Sequence, residues 1–287
     1  MNRLFVDNLT VIDSAFLDHH RGLVGESWIV DVELAGELDD QGMVFDFGLV
    51  KRTIKSQIDG LADHRLLIPA HQPGLTRSEH NGQDSLRFPL SDDTHIDHTA
   101  PASSVLYLQN TEITPDAVAR YLETALKTAL PDNVDAVRLH LRTEIIDGPR
   151  YHYTHGLKKH DGNCQRIAHG HRSRLEILRN HQRDPALEQH WAQRWQDIYI
   201  ATAEDCTERF DDNGTQYHHF AYTANQGHFS LTLPAQRVYT IDTDSTVEWI
   251  AVHLLQQCQH QHPDDHLLIK AYEGVGKGAL AATADSF

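Results

Sequence analysis

The second half of this chain repeats the order of its first half, and that repetition narrows the possible folds more than any other feature. From Ser14–Leu17 to Arg142–Ile145 the chain reads as two strands, an intervening region, a helix with Thr near its start and a strand with Glu near its end; Thr154–Leu157 to Ala271–Gly274 reads in the same order. An internal duplication is the economical explanation. The 287 residues suffice for two ordinary domains. The turn-forming dipeptide Gly148-Pro149 marks the expected boundary, giving units of 1–148 and 149–287.

In the first unit, apolar alternation over 26–38 predicts a strand, and roughly helical spacing over 45–61 predicts a helix. The stretch 70–104 is polar and rich in turn formers, so it reads as an excursion outside the core, with a short strand at Leu86–Leu90. Thr114-Pro115-Asp116 opens a helix of about 114–130, with proline at its first position, and 134–146 alternates as the closing strand. The second unit repeats this plan with a different middle. Strands are expected at 150–157 and 171–180, a helix at 185–195, and three further strands at 197–204, 216–224 and 228–234. Ser245-Thr246 opens a helix reaching Cys258, and 266–274 is the last strand.

Charge limits the partners. Lys plus Arg is 25 against 41 Asp plus Glu, a formal charge of −16 that argues against affinity for nucleic acid or an anionic membrane surface. There is no apolar run of about 18 residues and no secretory signal pattern, so a cytoplasmic protein with no nucleic-acid or membrane partner is expected. Cys164, Cys206 and Cys258 are too few, and odd in number, for a disulfide framework. The 22 histidines suggest metal or acid–base chemistry somewhere, although most of them must simply be solvated.

The strongest local signal is His169-Gly170-His171. In an extended segment residues two apart point to one face, so both imidazoles can reach one metal ion. His155, on the expected partner strand of a hairpin, supplies a third. Three histidines with a fourth position open is the arrangement of a catalytic zinc site, although a chain this rich in histidine also produces H-x-H by chance. Cys164 falls in the turn of that hairpin with Lys158, Lys159 and Arg166 nearby, and is a candidate thiolate base or else a buried apolar thiol; its polar flanks favour the first. Asp63-His64 reads as a carboxylate orienting an imidazole, or as a solvated helix end. Glu144 and Glu273 stand near the ends of the two closing strands, where a carboxylate can accept two parallel N–H bonds from a 2-amino-4-oxo heterocycle.

Taken together, these residues resemble a known family. Tyr151-His152-Tyr153-Thr154-His155, Cys164 and His169-Gly170-His171 look like the aromatic-x-x-x-His, Cys and His-x-His pattern of the 6-pyruvoyltetrahydropterin synthase and 6-carboxytetrahydropterin synthase family. Met43–Gly48, Lys51 and Leu61–His64 look like its helix-one segment. Thr114–Ala119 and Thr246–Ala251 resemble its Thr-x-Glu helix opening, with Asp116 and Glu248 in the acidic place, and Thr143-Glu144 and Tyr272-Glu273 resemble its pterin-anchor strand. The resemblance implies an α+β architecture: tandem tunnelling folds, each an antiparallel sheet with paired helices on one face, oligomerising into a β-barrel. It also implies Zn2+ on His155, His169 and His171, proton transfer by Cys164, Asp63 and His64, and pterin binding through Glu144, Glu273, Thr114 and Thr246.

The departures from the pattern are informative. In the first unit the zinc-ligand positions read Ala15 or Phe16, then Val24 and Glu26, and in 181–240 no counterpart of Asp46-Phe47-Gly48 or Asp63-His64 is found. Each unit keeps what the other lacks, so one can bind zinc while the other donates the acid–base pair. The expected protein is a homo-oligomeric, zinc-dependent lyase that converts 7,8-dihydroneopterin triphosphate to 6-carboxytetrahydropterin on the 7-deazaguanine (queuosine) route. The pyruvoyl product and a non-catalytic pterin- or purine-binding module are the alternatives. Lys158, Lys159, Arg65 and Arg166 are expected to receive the triphosphate.

Overall fold

The computed structural model describes residues 2–283. The first half runs β1 (Asn2–Asp18), β2 (Gly22–Gly36), α1 (Phe47–Leu61), β3 (Leu66–Pro69), β4 (Thr76–His80), β5 (Gln83–Pro89), β6 (His95–Pro101), β7 (Val105–Leu108), α2 (Pro115–Leu126) and β8 (Val134–Thr143). The second runs β9 (Arg150–His155), β10 (His169–Arg179), the short β11 (Gln182–Arg183), α3 (Pro185–Arg194), β12 (Ile198–Thr202), β13 (Cys206–Asp212), β14 (Thr215–Ala224), β15 (Gly227–Pro234), β16 (Val238–Ile241), α4 (Val247–Gln261), β17 (Leu267–Tyr272) and β18 (Gly278–Ala282). With β11 and β18 set aside, the two halves match element for element.

Their sheets match as well. The first is ordered β7-β3-β1-β2-β8 and the second β16-β12-β9-β10-β17, with β18 added beyond β17 and β11 paired to β10. Hairpin and closing strands are antiparallel, as expected. By contrast β3 and β12 run parallel to β1 and β9, because a helix carries the chain back before each of them begins. The architecture is therefore mixed, with few helices. Each of the four α-helices has a side-chain N-cap, Thr114 and Thr246 where the sequence reading opened them and Asp46 and Asp184 besides: Asp46 accepts from Leu49 N at 3.0 Å, Thr114 from Ala117 N at 3.2 Å, Asp184 from Leu187 N at 3.1 Å and Thr246 from Trp249 N at 3.4 Å. Among the described residues no helix is long and apolar enough to cross a membrane.

The stretch 70–104 corrects the sequence reading. It forms the meander β4–β6, whose inward residues Leu86, Phe88, Ile96 and Ala100 are buried, and the middle of the second half is the same meander, β13–β15. The two meanders join edge to edge into one six-stranded sheet, β13-β14-β15-β6-β5-β4, with Thr99 opposite Ser230 and His98 opposite Leu231. Polar outward faces hid this alternation, although Asn81-Gly82 at positive φ is a recognisable hairpin turn. The join encloses a core shared by both halves, with Leu17, Leu23 and Phe88 packed against Phe220, Phe229 and Leu231.

The hairpins β1–β2 and β9–β10 cross at backbone contact. A Cβ on Gly25 would collide with the Tyr153 carbonyl and lie 2.6 Å from His171 N, and one on Gly170 would lie 2.7 Å from Gly25 Cα. Only glycine allows that approach. Gly25→Ala should therefore cost about 1–3 kcal/mol in denaturant unfolding by overpacking, whereas Gly60→Ala, inside α1 with nothing near the new methyl, should be neutral or stabilise by about 1 kcal/mol. Equal stability of the two variants would contradict the crossing.

Candidate metal and acid–base centre

The register of β9 on β10 sets His155 opposite His169 and Tyr153 opposite His171, so alternation puts all three histidines on one face. Their ring nitrogens lie within 4.8 Å of one another, with His155 Nε2 3.3 Å from His171 Nε2. All three are fully buried. Two outer nitrogens are held by acceptors, His155 Nδ1 donating to Ser245 O at 2.8 Å and His169 Nδ1 to Arg166 O at 2.9 Å, while His171 Nδ1 lies 3.3 Å from the Asp13 carboxylate. A ring that donates through Nδ1 presents Nε2 as a lone pair, the tautomer a metal requires. His169 Nε2 is buried without a hydrogen-bond partner among the described residues, which is the kind of orphan a metal ion satisfies. Burial and the neighbouring imidazoles hold His155 down to about 3 and His169 well below the ordinary range, so both are neutral.

Cys164 and His64 stand against this cluster. Their donor atoms and that of His169 lie within 4.8 Å of one another, and the His64 and His169 rings are 5.0 Å apart. His64 comes from the α1–β3 connection of the first half and Cys164 from the β9–β10 loop of the second, and both belong to one chain. Adjacent residues need not touch, but His64 adopts a left-handed φ of 55°, and its Nδ1 meets Asp63 Oδ2 at 2.7 Å. Burial alone would lower the pKa of His64; hydrogen bonds to Asp63 and Cys164 outweigh it and raise the value to about 10.

The remaining expected residues are less uniform. Glu273 Oε1 lies 3.9 Å from His171 Nε2, while the Glu144 carboxylate is 3.6 Å from Arg174 Nη1. Counting from the crossing glycines, Leu141 opposite Val30 matches Ala271 opposite Leu175, so the counterpart of Glu273 is Thr143 and Glu144 is one residue out of register. In a strand that displacement turns the side chain to the other face. Thr114 and Thr246 use their hydroxyls to cap helices. Lys158 is paired with Glu204 and Asp205, Lys159 with Asp244, and Arg65 with backbone carbonyls; of the four expected cations Arg166 is the one that touches the centre, through His64 O at 3.2 Å. Sequence reasoning missed Asp13 and Lys277, whose ammonium lies 3.1 Å from Asp13 Oδ2. A single aspartate in a strand and a lysine in a glycine-rich turn carry no motif.

The first half holds the matching positions in altered form. Phe16 faces Val24 as His155 faces His169, and Ser14 faces Glu26 as Tyr153 faces His171, so the ligand places read Phe16, Val24 and Glu26. Parallel pairing of Ala15 with Leu66 and of Thr154 with Tyr199 makes Asp197 the counterpart of His64, with φ of 56° against 55°. Arg21 grips Asp197 at 2.9 and 2.6 Å. Likewise Asp184-Pro185 opens α3 as Asp46-Phe47 opens α1. The counterparts sought in 181–240 thus exist as backbone positions whose residues have changed.

A model of the 6-pyruvoyl tetrahydropterin synthase family matches the chain twice, over residues 18–147 and 144–279. The chain belongs to this family. It is a tandem pterin synthase homologue, and the two matches cover the two halves described above. Among solved structures it is similar to 6-pyruvoyltetrahydropterin synthase from Plasmodium vivax, at 18% identity and a TM-score of 0.35, over 49% of this chain and 90% of that one. The Plasmodium falciparum 6-pyruvoyl tetrahydropterin synthase matches at 16% identity and a TM-score of 0.37, with the same coverage. No curated protein matches the chain.

In this tandem synthase homologue the His64–Asp63 pair should be visible by titration. A folded pKa raised from 6.5 to about 10 stabilises the fold fully below about pH 6.5 and loses that contribution as pH climbs toward 10. NMR titration of Asp63→Asn should show His64 falling toward the ordinary histidine value. An unchanged value would mean that Asp63 does not hold the proton on the ring.

Proposed function

We propose that this protein is a zinc-dependent lyase that converts 7,8-dihydroneopterin triphosphate to 6-carboxytetrahydropterin. The observation that carries the reading is the convergence of three buried imidazoles, each with its outer nitrogen facing an acceptor, beside an Asp–His pair and a cysteine. His155, His169 and His171 would hold the zinc, which when bound supplies Lewis-acid polarisation of oxygens on the substrate side chain. Glu273 would accept the paired N–H groups of the pterin edge, its carboxylate lying beside His171. Cys164, as thiolate, would take a proton from the side-chain carbon, and His64, kept protonated by Asp63, would return one. Arg166 would meet the triphosphate, which must approach a chain of charge −16. Among the described residues β7 and β8 are the two edge strands of their sheet, so we further propose a homo-oligomer that closes these edges into a barrel.

Metal analysis should find one zinc per chain, because the first-half positions are Phe16, Val24 and Glu26. His169→Ala and His171→Ala should remove metal and activity together. Cys164→Ala and His64→Ala should stay folded and zinc-loaded while kcat drops by about 10²–10⁴-fold each. Mass analysis of the product decides the chemistry. A 6-carboxy product supports the proposal, a 6-pyruvoyl product moves the enzyme to the other branch, and pterin binding without turnover makes it a binding module.

A further inference from the structure

His169 belongs to two donor sets at once. Its ring is grouped with His155 and His171, and also with His64 and Cys164, the donors of each set lying within 4.8 Å of one another. The sets differ in access: the first is fully buried, whereas His64 and Cys164 are half-buried and open toward solvent. Asp63 holds His64 through Nδ1 at 2.7 Å, which leaves Nε2 to face the Cys164 thiol. A thiol and an imidazole side by side are preferred zinc ligands. Because His169 Nε2 is committed to the buried set, an ion at the outer pair keeps two protein donors and fills its shell with water. It is therefore held more weakly than the first.

We propose that His64 and Cys164 form a second, lower-affinity site for zinc-like divalent cations, filled when metal is in excess, and that its occupation switches the enzyme off by taking both acid–base groups out of use. Binding releases to the solvent the His64 Nε2 proton, and the Cys164 thiol proton where the sulfur still carries one, and forms one metal–imidazole and one metal–thiolate bond; nothing is oxidised or reduced. The inhibitory part rests on the function proposed above, and the site itself does not.

The test starts from full-length protein loaded with one zinc per chain and titrates it with Co2+. The expected result is a second equivalent bound per chain, a thiolate-to-cobalt absorption band in the near ultraviolet growing with it, and pterin-forming activity falling over the same range. Cys164→Ser should keep the first zinc and lose both the second equivalent and the band, and His64→Gln should weaken the second equivalent at least tenfold. Metal content that stays at one per chain under saturating Co2+ would overturn the site. So would a second equivalent that survives in the Cys164→Ser, His64→Gln double variant. If the band and second equivalent appear but the one-zinc protein never turns over the pterin triphosphate, the site stands and the inhibition is overturned with the function.

Discussion

Asp13 is the residue through which both halves of the centre are tied together. Its amide donates to Asp63 Oδ1 at 2.9 Å and its carbonyl accepts from His64 N at 2.8 Å, so the backbone of β1 positions the Asp63–His64 pair. Its side chain accepts from Ser27 Oγ at 2.5 Å and faces His171 Nδ1 at 3.3 Å and Lys277 Nζ at 3.1 Å. Burial works against the charged carboxylate, but His171, Lys277 and Ser27 more than compensate and hold it well below the usual carboxylate range. One buried anion from the first half thus orients a histidine of the second. The crossing at Gly25 and Gly170 makes this possible, because the two hairpins must touch at backbone distance for β1 to reach β10.

This arrangement accounts for the uneven decay of the duplication. A site assembled from one hairpin of one half and one connection of the other exists twice in a perfect tandem, and losing one copy leaves the second intact. The altered copy has not been left as a set of unsatisfied polar groups. Phe16 and Val24 are buried in an apolar core, and Arg21 binds Asp197 with two hydrogen bonds across the halves. Glu26, in the place of His171, is raised by burial to about 7, so a substantial fraction of it is protonated near neutral pH, and Arg172 and Arg21 favour the remaining charge. The β-meanders serve both copies equally: their joint sheet and shared core fix the two halves against each other.

Much of this was legible in the sequence, for identifiable reasons. The helices at 185–195 and 114–130 were marked by prolines at their first positions, and the structure ends them at Arg194 and at Leu126, the latter followed by a short 3-10 turn. His169-Gly170-His171 could be read as one face because strand alternation is local. The meander at 70–104 was not legible as core, since β4 is exposed throughout, β5 and β6 turn alternate residues away from the core, and the turns dominate the composition. The offset between Glu144 and Glu273 was invisible because both sit one residue past a strand end, and only pairing fixes which face each takes. Asp13 and Lys277 carried no signal at all: their roles come from a crossing between hairpins more than a hundred residues apart in the chain.

The central claim is that one chain contains a whole centre, with His64 of the first half and Cys164 of the second meeting inside it. Co-expression of Cys164→Ala and His64→Ala chains in one oligomer tests this most directly. If the centre lies within a chain, every site in the mixture carries one of the two lesions, and activity should equal the average of the two single variants. Activity well above that average, growing with the fraction of mixed oligomers, would mean that His64 and Cys164 are drawn from different chains and would contradict the account.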